Sequence, residues 1–143
     1  MNGFPLFPVG FVRSTFKRPM PPEKFRGTLS KIELVHEFEE ALEGLEEGAL
    51  LLVLFRFHLC KGFSMKVRPR GDLANPLRGV FSTCSPCRPN HIGASIVRLM
   101  EVTGPVLAVE DLDAVDGTPV MDIKPFRGID WKGVEQAALS GRF

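Results

Sequence analysis

The chain has 143 residues, 44% of them hydrophobic, and a formal net charge of +1. That length suits one domain with a real core and no need of staples. A net charge so small gives no polyelectrolyte signal, and the longest apolar run, 49–55, is far too short to cross a bilayer.

Residues 1–9 are apolar but short, lack a basic start and are broken by prolines, so they do not read as a secretory signal. Three cysteines are an odd number for a disulfide framework, and the expectation is a soluble, intracellular, reduced protein. Residues 32–35 make a first candidate strand. A helix is expected over 36–45, where Phe38, Leu42 and Leu45 recur at i, i+4 and i+7, with His36 capping its start. Gly44 and Gly48 would end it. The run 50–57 reads as a buried central strand. Residues 65–68 alternate apolar and basic, as a half-exposed strand does, and 79–82 lead into a loop. Strands over 96–102 and 106–109 flank Thr103-Gly-Pro105, a hairpin connection. Residues 119–124 alternate again, and a short helix is expected over 130–139, capped by Asp130. Six or seven short strands favour a mainly β fold, a barrel or sandwich with one or two short helices.

Charge is segregated along the chain. Positions 33–47 hold seven acids and no Lys or Arg, whereas 56–88 hold seven Lys or Arg and the single acid Asp72. Two solvated faces would explain this; so would an anion or nucleic-acid groove built from the second block.

Two loops carry the chemistry. Arg78 to Gly93 crowds two prolines, two glycines, two arginines, Asn90, His91 and the pair Cys84-Ser-Pro-Cys87 into one segment. Pro86 and Pro89 forbid a helix or a regular central strand there. The cysteines admit three readings: small residues filling a turn, which is favoured; a zinc site with His91 and either Cys60 or His58; and a dithiol couple, for which no helix start is evident. The second loop runs 113–119. Asp113, Asp116 and Asp122 could form a carboxylate cluster, but Asp116-Gly117 is better read as a tight turn through a positive-φ glycine. Lys124 lies on the strand face of Asp122 and would pair with it. His58, at the end of the central strand, is either a hydrogen-bonded rim residue or a group facing a ligand.

Phe81-Ser-Thr-Cys-Ser-Pro-Cys-Arg-Pro-Asn-His-Ile-Gly-Ala-Ser95 resembles the signature Phe-Ala-Thr-Arg-Ser-Pro-x-Arg-Pro-Asn-Pro-Ile-Gly-Leu-Ser of the TsaA-like (TrmO/YaeB) family. Asp116-Gly-Thr-Pro-Val-Met-Asp-Ile-Lys-Pro-Phe126 resembles its second signature, Asp-Gly-Thr-Pro-Val-Leu-Asp-Ile-Lys-Pro-Tyr. Gly10-Phe-Val-Arg-Ser14, Phe57-His58 and Val67-Arg-Pro69 are weaker echoes in the right order. The resemblance implies a small TsaA-like β-barrel that dimerises and holds S-adenosylmethionine near the subunit contact. It implies a cytoplasmic methyltransferase acting on N6 of threonylcarbamoyladenosine in tRNA, next to the anticodon, with no membrane and no metal. The chain would be one domain, 1–143, with a core over 9–126 and a tail over 127–143.

The same resemblance assigns the cofactor to Phe25, Arg26, His58, Leu59, Cys84, Ala94, Val115, Asp116, Gly117 and Thr118, and the RNA substrate to Arg88, Asn90 and Lys124. It leaves the catalytic base unassigned among His58, His91 and Asp116. Three positions depart from the pattern: Cys84 stands where the family has an arginine, His91 where it has a proline, and Phe126 where it has a tyrosine. Arg88 or Arg26 would then have to meet the methionine carboxylate. A non-catalytic S-adenosylmethionine-binding module, or a zinc or redox protein using Cys84 and Cys87, are the alternatives.

Overall fold

The computed structural model of the chain describes residues 2–126. The helix expected over 130–139 and its cap Asp130 lie outside them. Among the described residues eight strands form: β1 (Gly10–Arg13), β2 (Leu29–Leu34), β3 (Leu50–Arg56), β4 (Lys66–Val67), β5 (Arg78–Gly79), β6 (Ile92–Thr103), β7 (Val106–Glu110) and β8 (Pro119–Pro125). Six of them close into a barrel in the order β1-β2-β7-β6-β3-β8, and every neighbouring pair is antiparallel. Strands β4 and β5 form a separate two-stranded arm. The mainly β barrel expected from strand spacing is therefore the observed architecture.

Alternation decides which side chains fill the barrel. Inward positions take Val12, Ile32, Leu34, Leu51, Val53, Phe55, Val97, Leu99, Leu107, Val109 and Val120, all buried, and Leu112 and Ala114 plug one end. Small barrels fill their interiors in this way, with interior and exterior residues alternating along each strand. In β3 the outward residues are apolar too: Leu50, Leu52 and Leu54 are half-buried on the outer wall. The continuous apolar run thus reflects two apolar faces of one barrel strand.

Several local expectations are corrected. The segment after β2 is a 3-10 helix, His36–Leu42. Gly44 and Gly48, at φ +91° and +87°, turn the chain before a longer helix can grow. Its cap position is Val35, without a side-chain cap; His36 instead pairs through Nδ1 with Glu39 at 3.1 Å. Residues 79–82 are largely a 3-10 turn, Val80–Ser82, because Val80 drops into the interior while its N–H bonds Met65 O at 2.9 Å. β1, unassigned from the pattern of residues, closes the barrel by pairing β2 on one side and β8 on the other.

Candidate functional site

Antiparallel order gathers one set of strand ends at one end of the barrel. The C-terminal ends of β1, β3 and β7 meet the N-terminal ends of β2, β6 and β8 there. Both long loops of the sequence open from it. β3 lies between β6 and β8, so its last residues are flanked on either side by a signature segment. Phe57 N–H donates to His91 O at 2.8 Å on the β6 side. On the β8 side, a Cβ built on Gly117 would sit 3.8 Å from His58 Nε2. The turns centred on Asn90 and Gly117 therefore flank the end of β3, the first bonded to Phe57 and the second beside His58.

Each turn is held by identifiable bonds. Gly117 takes φ +80°, which an L side chain rarely adopts, and its N–H donates to Val12 O at 2.8 Å. Thr118 is buried and its hydroxyl donates to Val115 O at 2.7 Å. Asp116 accepts from Ser14 N–H at 2.9 Å and from Lys17 Nζ at 2.7 Å. The Lys17 bond first, then the Ser14 amide, hold its carboxyl below the ordinary value. Asp113 N–H donates to Ser95 Oγ at 3.2 Å, which ties this loop to the inner face of β6. Burial, reinforced by the charge of Glu23, raises the Asp113 carboxyl above its ordinary value. In the other loop Asn90 and His91 both take positive φ, +64° and +53°. His91 Nε2 lies 2.6 Å from Gly62 O. Arg88 spends Nη1 on Thr83 O at 2.7 Å and Ser85 O at 3.4 Å, shaping its own loop.

The expected ligand set is brought together in part. His58, Leu59 and the Val115–Thr118 turn share the barrel end. Phe25 is near them, because Gly27 N–H bonds Asp111 Oδ1 at 2.6 Å; the ring itself is buried edge-on to Phe16 at 5.3 Å. Arg26 is exposed beside it. Ala94 is exposed and opposite Leu54, so it faces outward from the barrel wall. Cys84 is exposed on the loop. Lys124 is elsewhere: it pairs with Asp122 at 2.6 Å and sits opposite Leu52, well along β8 from the turn. The carboxylate cluster does not form, since Asp116 and Asp122 each hold a separate lysine.

The expectation of reduced cysteines is overturned, and so are the alternatives that paired Cys84 with Cys87. Cys87 bonds Cys60, with Cα atoms 5.9 Å apart, and Cys84 remains a free thiol. The pair at spacing three is not a functional unit. β3's exit and the loop after β5 run together, as the Ser64 N–H to Cys87 O bond at 3.3 Å also records, and sequence spacing does not carry that proximity. No group of three or more His, Cys, Asp or Glu that could hold a metal ion occurs among the described residues, which removes the zinc reading there.

Sequence reading missed Ser14, Phe16 and Lys17 as supports of the Asp116 turn: Ser14 and Lys17 bond its carboxylate, and Phe16 O accepts the Asp116 N–H at 2.7 Å. Only the faint echo over 10–14 pointed to this segment. It also missed Asp111, which locks the turn bearing Phe25.

The site suits a ligand with a polar edge and a small apolar surface. The His58 ring and the amides of His58 and Leu59 have no hydrogen-bond partner among the described residues. Gly117 leaves open the space beside that ring which a side chain would enter. Val115 supplies a small apolar side chain beside the turn. S-adenosylmethionine, with its adenine edge and compact sulfonium, fits such a donor set.

The chain is similar to known proteins. Residues 11–130 match the model of the tRNA-methyltransferase O N-terminal domain. A Methanothermobacter thermautotrophicus protein named "Probable S-adenosyl-L-methionine-binding protein" is 44% identical over 122 residues, covering 83% of this chain and 87% of its own. The Escherichia coli tRNA (adenine(37)-N6)-methyltransferase is 37% identical over 138 residues, covering 88% of this chain and 59% of its own. A solved structure of TrmO superposes with a TM-score of 0.71 at 37% identity, covering 88% of this chain. The chain spans only 58% of that solved protein. With both signatures at the end of β3 and the match running through nearly the whole barrel, the chain belongs to the tRNA-methyltransferase O N-terminal domain family.

Proposed function

We propose that this chain is an S-adenosylmethionine-dependent tRNA methyltransferase that modifies N6 of threonylcarbamoyladenosine next to the anticodon. The observation that carries the reading is that the two signature turns flank the end of β3 at His58. The cofactor would lie against His58, Leu59 and Val115–Thr118, with Phe25, Arg26, Cys84 and Ala94 at its margin. Because Ala94 faces outward, a pocket that includes it wraps from the barrel end onto the wall of β3 and β6. That wall is apolar, with Leu52 opposite Ile96 and Leu54 opposite Ala94, and exposed Ile92 and Met100 extend it. An exposed apolar wall of this kind supports a homodimer contact beside the cofactor. The barrel core over 9–126 would act as one domain.

When bound, S-adenosylmethionine supplies an electrophilic methyl group. The protein's task is orientation: the turns hold the donor and acceptor in line and keep water out, which is where most of the rate arises in such a displacement. The acceptor N6 loses a proton during transfer. His91 is engaged by Gly62 O, and Asp116 by Lys17 and Ser14. The unpartnered His58 ring is left as the base. Asn90 and Arg88 would face the RNA from their turn, and the basic residues over 61–88 would meet phosphates. The place of work would be the cytoplasm; no helix among the described residues is long and apolar enough to cross a membrane.

The test is incubation with methyl-labelled cofactor and tRNA that carries threonylcarbamoyladenosine. Label should appear in that nucleoside and be lost with His58→Ala even at cofactor concentrations that saturate the variant, so that weaker cofactor binding is not the cause. Tight cofactor binding with no label in tRNA would instead make the protein a non-catalytic binding module.

A further inference from the structure

Residues 61–82 form an arm outside the six-stranded barrel. β4 and β5 pair through Lys66 opposite Gly79 and Val67 opposite Arg78, and the bond from Val80 N–H to Met65 O continues the ladder. Met65 therefore lies beside Val80, where the chain leaves β5 in its 3-10 turn. Val80 is the one hydrophobic side chain of this arm that is fully buried. Phe63 and Phe81 are 57% and 78% exposed, and Met65, Leu73 and Leu77 are exposed as well. A two-stranded piece is too small to bury such side chains by itself.

The charges beside these rings are of one sign. Lys61, Lys66 and Arg78 have no acidic partner among the described residues. Arg68 staples the arm's tip through Asn75 O at 2.6 Å, and Arg70 ties it to Glu23 at 3.2 Å. The only acid, Asp72, accepts the N–H of Ala74 at 2.9 Å. The arm is rooted at both ends beside the candidate site. Its entry follows His58 and carries Cys60; its exit runs into the loop of Cys87 and Asn90, and the disulfide joins the two roots. Exposed aromatic faces among unpaired cations match a strand of unpaired nucleotides, where bases stack on rings and phosphates meet lysine and arginine.

We propose that the β4–β5 arm grips unpaired nucleotides flanking the target, with Phe63 and Phe81 stacking on bases and Lys61, Lys66 and Arg78 holding phosphates. This rests on the tRNA reading above. The occupant is single-stranded RNA, since whatever lies on the arm is delivered to the turns around His58.

The experiment measures binding of an anticodon stem-loop RNA and of a blunt RNA duplex of equal length to the full chain. Phe63→Ala/Phe81→Ala should weaken stem-loop binding about tenfold or more, with duplex binding changed less than about twofold. Lys66→Ala/Arg78→Ala should weaken both RNAs and lower the salt slope by about one to two. Phe63→Trp/Phe81→Trp should restore stem-loop binding. Cofactor affinity, measured in parallel, should stay unchanged in all three variants. Unchanged stem-loop binding in the double alanine variant overturns the proposal. So does an equal loss on both RNAs, a loss of self-association, or tighter binding of wild type to anionic vesicles than to the stem-loop. The two readings separate cleanly. Stem-loop binding that depends on the rings, without methyl transfer, sinks the enzyme reading and keeps the arm. Methyl transfer with ring-independent binding does the reverse.

Discussion

Gly93→Ala tests the packing beneath the site. Gly93 is buried in β6 directly opposite Phe55. A Cβ there would stand 2.5 and 2.7 Å from the Phe55 ring and 2.8 Å from the Phe57 ring. Those two rings meet edge-on at 5.3 Å, and Phe57 immediately precedes His58. Two effects oppose each other. Replacing a strand glycine with alanine recovers about 0.5–1 kcal/mol of backbone entropy. Overpacking a core costs about 1–3 kcal/mol. Because both clashing neighbours are rings and Phe55 is fully enclosed, relief requires displacing the half-buried Phe57 ring, and the steric effect wins. The expected result is a net loss of about 0.5–2 kcal/mol, read as a drop of a few degrees in Tm. Cofactor affinity should fall as well, because the ring that must move is joined to His58. Urea denaturation and calorimetric titration with S-adenosylmethionine measure both. Combining Gly93→Ala with Phe55→Leu should cost less than the sum of the single changes, since the second makes room for the first. An alanine variant as stable as wild type, or more so, would refute this account of the glycine.

Four further outcomes are expected. Gly117→Ala forces an L side chain to φ +80° and enters the space beside His58, so it should cost about 1–2 kcal/mol in denaturation and weaken cofactor binding; normal affinity would show that the turn does not face the ligand. Cys60→Ser/Cys87→Ser opens a loop with a sequence separation of 27, and loop-closure entropy puts the loss near about 3.5 kcal/mol, whereas Cys84→Ser should be close to neutral; equal effects would contradict the pairing. Asp113 has its folded-state pKa raised by burial and by Glu23, so the folded state holds more protons than the unfolded one between the two pKa values. Its contribution is fully present below the ordinary carboxylate value and is lost as pH rises through the raised one. Asp113→Asn should flatten that part of the stability profile, seen as Tm against pH, and an unaltered profile would argue against it. Ser30 is buried in β2 with a hydroxyl that has no hydrogen-bond partner, so Ser30→Ala should leave stability equal or raise it by about 1 kcal/mol; a clear loss by urea denaturation would mean that something satisfies the hydroxyl.

Much of the barrel was legible in advance. Alternation along residues 96–102 and 106–109, and the glycine-proline break between them, gave β6, β7 and their hairpin, because side chains in a strand alternate whatever the strand pairs with. The Asp116-Gly117 turn was legible for an equally local reason, since the required positive φ selects glycine. The pairing of Asp122 with Lys124 followed from the same two-residue period. The two signatures identified the family before any geometry was known.

What stayed hidden depends on contacts between distant segments. Spacing offered Cys84 and Cys87 as a pair only as an alternative to turn-filling residues, and gave no sign of Cys60; the fold joins Cys87 to Cys60, because β3's exit and the loop after β5 lie side by side. Periodicity over 36–45 spoke for an α-helix, yet the glycines and the packing of a short segment left a 3-10 turn. No local pattern could say that Ser14 and Lys17 would brace Asp116, or that two turns far apart in the sequence would flank the end of β3 at His58. The amino-acid order determined which residues face inward and where the chain must turn. Barrel closure decided which turns become neighbours, since closing six strands fixes register and end-to-end placement at once, and only those long-range pairings bring the chemical groups within reach of one another.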